Sequence, residues 1–166
     1  MPARAASKTV MRAPAPLTLA ALLILSTAGL ARAAEPPDNV LAAVAEAEQQ
    51  CKTMDGTPNA EAVLSVDDVN GDGGEDWIVD YAKLKCDGSI NPLCGSGGCA
   101  MQIYLWDGAT AWNLAFDEIV QRYKFGKDRG KPVLHVTFAG AACDKPNVQS
   151  CIVTYRLEKS AIVAPR

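Results

Sequence analysis

The chain has 166 residues, a hydrophobic share of 49%, and 19 acidic against 16 basic residues with a single histidine, for a net charge of −3. That length allows one domain with a core of its own. The acidic balance disfavours nonspecific attachment to DNA, RNA or anionic lipid, while leaving the fold open.

Arg4, Lys8 and Arg12 precede the apolar run Leu17 to Leu25, and small residues follow as far as Ala31-Arg32-Ala33. This is the order of a secretory signal peptide cleaved after Ala33, which predicts one mature domain over 34–166. Residues 1–33 hold four of the basic residues and none of the acidic ones, so 34–166 carry 12 against 19, near −7. The apolar run is shorter than the roughly 20 residues of a spanning helix, and no later stretch is longer, so no membrane span is expected once 1–33 is removed. Met11, followed by Arg12, is an alternative start that gives a segment of conventional length. No cysteine stands at the cleavage point and no arginine pair precedes the run, so neither a lipoprotein nor export of a folded chain is indicated. The expected residence is periplasmic or extracellular.

In the mature part, Asp38 is expected to cap a helix over about 39–52, because Val40, Leu41, Val44, Ala47 and Cys51 fall at helical spacing. The turn formers Asp55 to Asn59 end it. Strands are then expected at 62–66, 77–85, 100–106, 111–119, 121–125, 132–139 and 150–157. Turns at Asp107-Gly108, Gly126 to Gly130 and Gly140 to Asn147 separate the later ones. Short connections imply antiparallel neighbours. The predicted class is α+β: an amino-terminal helix packed on a twisted antiparallel meander, open or partly closed, and stapled by disulfides.

Six cysteines, Cys51, Cys86, Cys94, Cys99, Cys143 and Cys151, lie within 34–166. An even count in an exported chain reads as three disulfides, and zinc is disfavoured because no Cys-x-x-Cys pair occurs and the one histidine is His135. Sequence alone leaves 15 connectivities open. Proximity favours Cys143 with Cys151 and Cys94 with Cys99, leaving Cys51 for Cys86.

The segment Asp68-Val69-Asn70-Gly71-Asp72-Gly73-Gly74-Glu75-Asp76 leads directly into the strand that begins at Trp77. Calcium requires six to eight oxygens, and carboxylates and amides at alternate loop positions can converge on one centre. Asp68, Asn70 and Asp72 offer side-chain oxygens, Gly74 a carbonyl, and Asp76 closes the set directly or through water. An EF-hand would place a glutamate at the twelfth position, where this chain has Val79. The competing reading is a loop of Asx turns that binds nothing. A cation has the advantage of relieving repulsion among three clustered carboxylates, and its expected role is structural.

The pattern resembles the calcium loop of FG-GAP and VCBS-type repeats, Asp-x-Asp/Asn-x-Asp-Gly-x-x-Asp before a β-strand. The resemblance implies ligands at Asp68, Asn70, Asp72, Gly74 and Asp76. A propeller of such repeats uses several copies with Phe-Gly and Gly-Ala-Pro segments; this chain holds one copy without them, so the resemblance extends to the site alone. The segment Cys94-Gly95-Ser96-Gly97-Gly98-Cys99 is similar to one in small exported proteobacterial proteins of unknown function.

No catalytic residue is assigned. His135 shares a strand face with Val133 and Thr137, and Ser96 lacks the Gly-x-Ser-x-Gly setting and sits between two cysteines. Arg122 and Lys124, with Lys127, Arg129 and Lys131, form a basic segment in an acidic domain. They read either as a charged edge strand or as a patch for an anionic partner. Tyr123 and Phe125 should face inward. Trp112, Leu114 and Phe116 look like one core face, with a tryptophan surface including Trp77 and Trp106 as the alternative. The expected function is a noncatalytic, calcium-binding module of the cell envelope, binding or inhibiting a protein or an anionic envelope ligand and no nucleic acid. A structural or stress-related envelope protein is the alternative, followed by a small hydrolase.

Overall fold

Val40, Ala47 and Cys51 become the buried positions of α1 (Asp38–Thr53). The computed structural model describes residues 35–143 and 150–165; the signal segment 1–33 and the turn read at Asp144 to Asn147 lie outside them. Asp38 is not the cap. Pro37 holds that position in an extended conformation, and its carbonyl accepts from the Val40 and Leu41 N–H groups, both at 3.0 Å. Asp38 instead occupies the first turn, where a carboxylate faces the positive end of the helix dipole.

After α1 the chain passes the Cys51–Cys86 bridge at Gly56, where a Cβ would lie 2.9 Å from Cys51 Sγ and 3.1 Å from Ser89 Cβ. Only glycine fits there without displacing the bridge. The turn cluster is shorter than its composition suggests, because β1 (Thr57–Asn59) pairs antiparallel with β4 (Lys85–Asp87) beside the same bridge.

Between these strands lies the central pair of the fold. β2 (Leu64–Asp67) pairs with β3 (Asp76–Asp80), and β3 pairs with β6 (Gly98–Trp106). β5 (Cys94–Gly95) and β7 (Trp112–Val120) complete this five-stranded sheet on β6. The expected strand 77–85 breaks after Asp80 into a 3-10 turn, Tyr81–Lys83. There the Asp80 carboxylate accepts from the Ala82 N–H at 3.2 Å, which offers the backbone an alternative to the ladder.

The rest of the chain makes a four-stranded meander of β8 (Arg122–Asp128), β9 (Lys131–Ala139), β10 (Ser150–Glu158) and β11 (Ala161–Val163). The turn expected over Gly126 to Gly130 shrinks to Arg129 and Gly130, with φ of 50° and 80° between paired Asp128 and Lys131. Left-handed conformation at both central residues is the type I′ geometry that matches strand twist. All recorded strand pairs are antiparallel. No pair joins the four-stranded sheet to the five-stranded one, so partial closure of a single sheet is not found among the described residues.

Two-residue periodicity divides the core. Ile78, Met101, Ile103 and Leu105 point to a cluster shared with Phe116, Leu134, Val136, Phe138 and Leu157 of the two sheets. Trp77, Val79 and Tyr104, the alternate residues, join Val40, Ala47 and Cys51 of α1 in a second cluster. The five-stranded sheet is thus covered by α1 on one face and by the meander on the other, which is why all five residues of β3 are buried. The helix contacts β1 and β3, and Asn39 Nδ2 donates to the Trp112 carbonyl of β7 at 2.8 Å.

Trp112, Leu114 and Phe116 do not form one face. The β6–β7 register shifts between Ile103 and Tyr104, which pair with Phe116 and Leu114 and leave Ala115 as a bulge. The extra residue reverses the alternation, so Phe116 is buried while Leu114 is 48% exposed. Tyr123 and Phe125 are half-buried and pack against the inter-sheet core, as their alternation implies.

Cys51 pairs with Cys86, Cys94 with Cys99, and Cys143 with Cys151, and no cysteine is free. The first bridge ties α1 to β4, the second closes the β5–β6 turn, and the third joins the 3-10 turn Gly140–Cys143 after β9 to β10. The unfolded, unreduced protein should therefore show no titratable thiol; two or more per chain count against this framework. Reduction should lower Tm clearly, since a typical bridge contributes about 2–4 kcal/mol.

Candidate metal-binding loop

Asp67 and Asp76 form the last pair of the β2–β3 ladder, and residues 68–75 make the connection. Gly71 and Gly73 have φ of 76° and 87°, a left-handed conformation that glycine enters without penalty. The turn this creates brings side chains back onto their own backbone. Asp68 Oδ1 accepts from the N–H groups of Gly71 at 2.8 Å and Asp72 at 3.1 Å, and its Oδ2 accepts from Gly73 at 2.9 Å. Asn70 Oδ1 accepts from Asp72 N–H and Asp72 Oδ1 from Gly74 N–H, both at 2.9 Å.

Two contacts fix the loop to the body. Asn70 Nδ2 donates to the Lys159 carbonyl in the β10–β11 turn at 3.1 Å, linking the loop to the second sheet. Asp76, fully buried, accepts from Val69 N–H at 3.1 Å and from Trp106 N–H at 2.9 Å. Burial pushes the Asp76 carboxyl up to about 6 against the pull of those two amides, and the charges of Asp72 and Asp68 push it the same way. The loop thus carries negative charge at its base that no ion pair among the described residues offsets.

Aromatic rings close one side. A Cβ on Gly74 would sit 2.6 Å from Trp106 Cδ1. Trp106 lies against Trp112 with ring centroids 4.3 Å apart, and Trp112 Nε1 donates to the Glu75 carbonyl at 2.7 Å. Trp77 takes no part: it is buried beneath α1, with no partner for its Nε1. The three tryptophans therefore do not share a surface.

The donor set is entirely oxygen, which suits a hard divalent cation rather than zinc. Among the described residues no three His, Cys, Asp or Glu side chains form a metal centre by themselves. A cation here would draw also on Asn70 Oδ1 and the Gly74 carbonyl. Asp68 Oδ1 is filled by its two N–H donors, whereas Asp68 Oδ2, Asp72 Oδ1 and both Asp76 oxygens accept one bond each and keep a second acceptor direction.

The other residues singled out by sequence lie apart from this loop. Ser96 is exposed in the two-residue turn between β5 and β6, closed by Cys94–Cys99. His135 is half-buried on β9, its Nδ1 2.9 Å from Thr154 Oγ1. No recorded hydrogen bond links the two. Arg122 and Lys124 are exposed on β8, opposite Thr137 and His135, and neither makes an ion pair among the described residues.

A polar recess beneath α1 has no sequence signal. The Tyr81 and Tyr104 hydroxyls both donate to Gln102 Oε1, at 2.8 and 3.0 Å, beside Glu46 and Asp117. Burial raises both phenols, and the two nearby carboxylates add to it. These residues meet only because α1, the turn after β3, β6 and β7 converge, so no local spacing could have revealed them.

Comparison with protein-family models, curated proteins and solved structures finds no match to this chain.

Gly74→Ala should destabilise the fold by about 1–3 kcal/mol through overlap with Trp106. Gly95→Ala is the control, since nothing lies within 4 Å of its added Cβ; equal denaturation midpoints would count against the Trp106 contact. An acid raised from 3.8 to about 6 contributes stability that is fully present below its unfolded value and lost as pH rises through about 6. In chelator, acidification from neutrality to about pH 5 should therefore raise Tm, and Asp76→Asn should flatten that part of the profile. An unchanged slope in Asp76→Asn would remove Asp76 as its source.

Proposed function

We propose that this chain is an exported, noncatalytic binding domain in which the FG-GAP-like loop Asp68–Asp76 holds a structural calcium ion. The observation that carries this reading is Asp76: a carboxylate buried at the foot of an all-oxygen loop, facing Asp72 and Asp68 without a compensating ion pair among the described residues. A divalent cation coordinated by Asp68, Asn70, Asp72 and the Gly74 carbonyl, with Asp76 directly or through water, supplies that compensation. It joins the β2–β3 turn to β6 through Trp106 and to the second sheet through Asn70.

Export rests on the basic and apolar order of 1–33 and is supported by the three disulfides, which persist in oxidising compartments. No helix among the described residues is long and apolar enough to cross a membrane. A binding role is favoured over a hydrolytic one by the candidate nucleophile and base themselves. Ser96 sits in a cross-linked turn, and His135 is engaged with Thr154.

A single site of this kind in an exported module belongs to the weak affinity class, with Kd of about 10⁻⁴–10⁻³ M. At about 10 mM calcium, mass action then adds about 1.4–2.7 kcal/mol to stability. Chelator should lower Tm of the wild type by several degrees relative to calcium and leave Asp72→Ala unmoved. Identical wild-type melting in chelator and in millimolar calcium would reduce the loop to a set of Asx turns.

A further inference from the structure

The basic segment of the sequence becomes β8, and its place in the sheet gives it a property that charge alone does not. In the order β11-β10-β9-β8 it is a terminal strand, hydrogen-bonded to β9 alone among the described residues. An edge strand presents half of its backbone N–H and C=O groups outward, a template for one more strand. The other edges are poorer templates. β2 has four residues, β1, β4 and β11 three each and β5 two, while β7 is interrupted by the bulge at Ala115 and carries Asp117 and Glu118. β8 runs for seven residues in unbroken register.

Side chains specify what could pair there. Arg122 and Lys124 stand on the outer face, two residues and hence roughly 6.6 Å apart along the strand. Their neighbours across the sheet are Thr137 and His135, then Ile152 and Thr154, with no acid in either row. Beneath β8 carboxylates join the cations: Asp80 shares one recess with Arg122, and Asp67 and Asp68 share the other with Lys127. A recess of about 280 Å³ adjoins Tyr123 and Asp80, and a larger one of about 560 Å³ opens between Phe125-Gly126 and the loop at Asp67 and Asp68. An added strand therefore meets cations on its outer side and has room beside charges of both signs on its inner side.

We propose that β8 accepts an extended segment of a partner protein as an additional antiparallel strand, with acidic residues alternating with uncharged ones. The acids sit beside Arg122 and Lys124, and the uncharged residues enter the recesses below. This deepens the binding reading above and names the partner by its chemistry. A second copy is disfavoured by the same two residues, because pairing β8 with β8 brings like charges together. The cations thus select among strands as well as guarding the edge.

The probe is the synthetic peptide Thr-Glu-Val-Glu-Val-Glu-Thr, titrated into the full chain in calcium and in chelator, with amide hydrogen exchange read residue by residue. Expected are added protection confined to β8 amides and binding about tenfold tighter than the lysine-for-glutamate peptide. Arg122→Glu with Lys124→Glu should reverse that preference. Both positions are exposed, so the variant should fold, which the unchanged exchange of β9 and β10 would show. Three results overturn the proposal: equal binding by a peptide N-methylated at alternate residues, equal binding by polyglutamate of mixed chirality, or peptide-free self-association that protects the same amides. The calcium reading is scored separately by Tm. Failure of the peptide with calcium stabilisation intact removes strand addition alone, and the converse removes the calcium loop alone.

Discussion

The fold depends on one constraint: the β3–β6 pair must be covered on both faces. Trp77 and Val79 need α1 above them, while Ile78, Met101, Ile103 and Leu105 need the meander below. One helix with few buried positions covers only part of a sheet, and the Cys51–Cys86 bridge fixes it where that cover is required. Burial of side chains at this density is worth about 1.5–3 kcal/mol for each large apolar residue, so the layer order follows from where those residues alternate.

Burial on both faces also accounts for Asp76. It is the first residue of a strand with no solvent-facing side, so its carboxylate must find partners inside the fold. It finds two amides, one in its own loop and one on the neighbouring strand. A buried carboxylate with hydrogen bonds and no cation is tolerable but costly, and the charges of Asp72 and Asp68 add to that cost; the calcium ion proposed for the loop would offset it.

Much of this was legible in the sequence, for identifiable reasons. The helix and the long strands followed from periodicity, and the alternating Asp, Asn and Gly residues marked the loop between β2 and β3, although the bonds it makes to its own amides are those of the competing Asx-turn reading. What escaped depends on contacts between distant residues. The bulge at Ala115 appears only when β7 is laid against β6, and it undid the face expected for Leu114. Asp38 lost the cap to Pro37 because cap choice turns on backbone geometry that composition does not encode. The passage from the five-stranded to the four-stranded sheet is made at the corner at Gln121, whose N–H reaches the Thr137 carbonyl at 2.8 Å. Nothing in the run Val120-Gln121-Arg122 signals that change of sheet.

The two indoles beside the loop have an optical consequence. Trp106 touches Gly74, Trp112 is hydrogen-bonded to Glu75, and the rings lie tilted by 48° at near contact. Chromophores so close and inclined couple their transitions, so the pair has a chiroptical signature distinct from that of Trp77, which is isolated beneath the helix. Trp106 and Trp112 are also the end pair of the β6–β7 ladder, so the angle between the rings follows that ladder end together with residues 74–75 packed against it. The molecule therefore carries a built-in spectroscopic gauge of its loop and the adjoining ladder end, readable by circular dichroism without any added label.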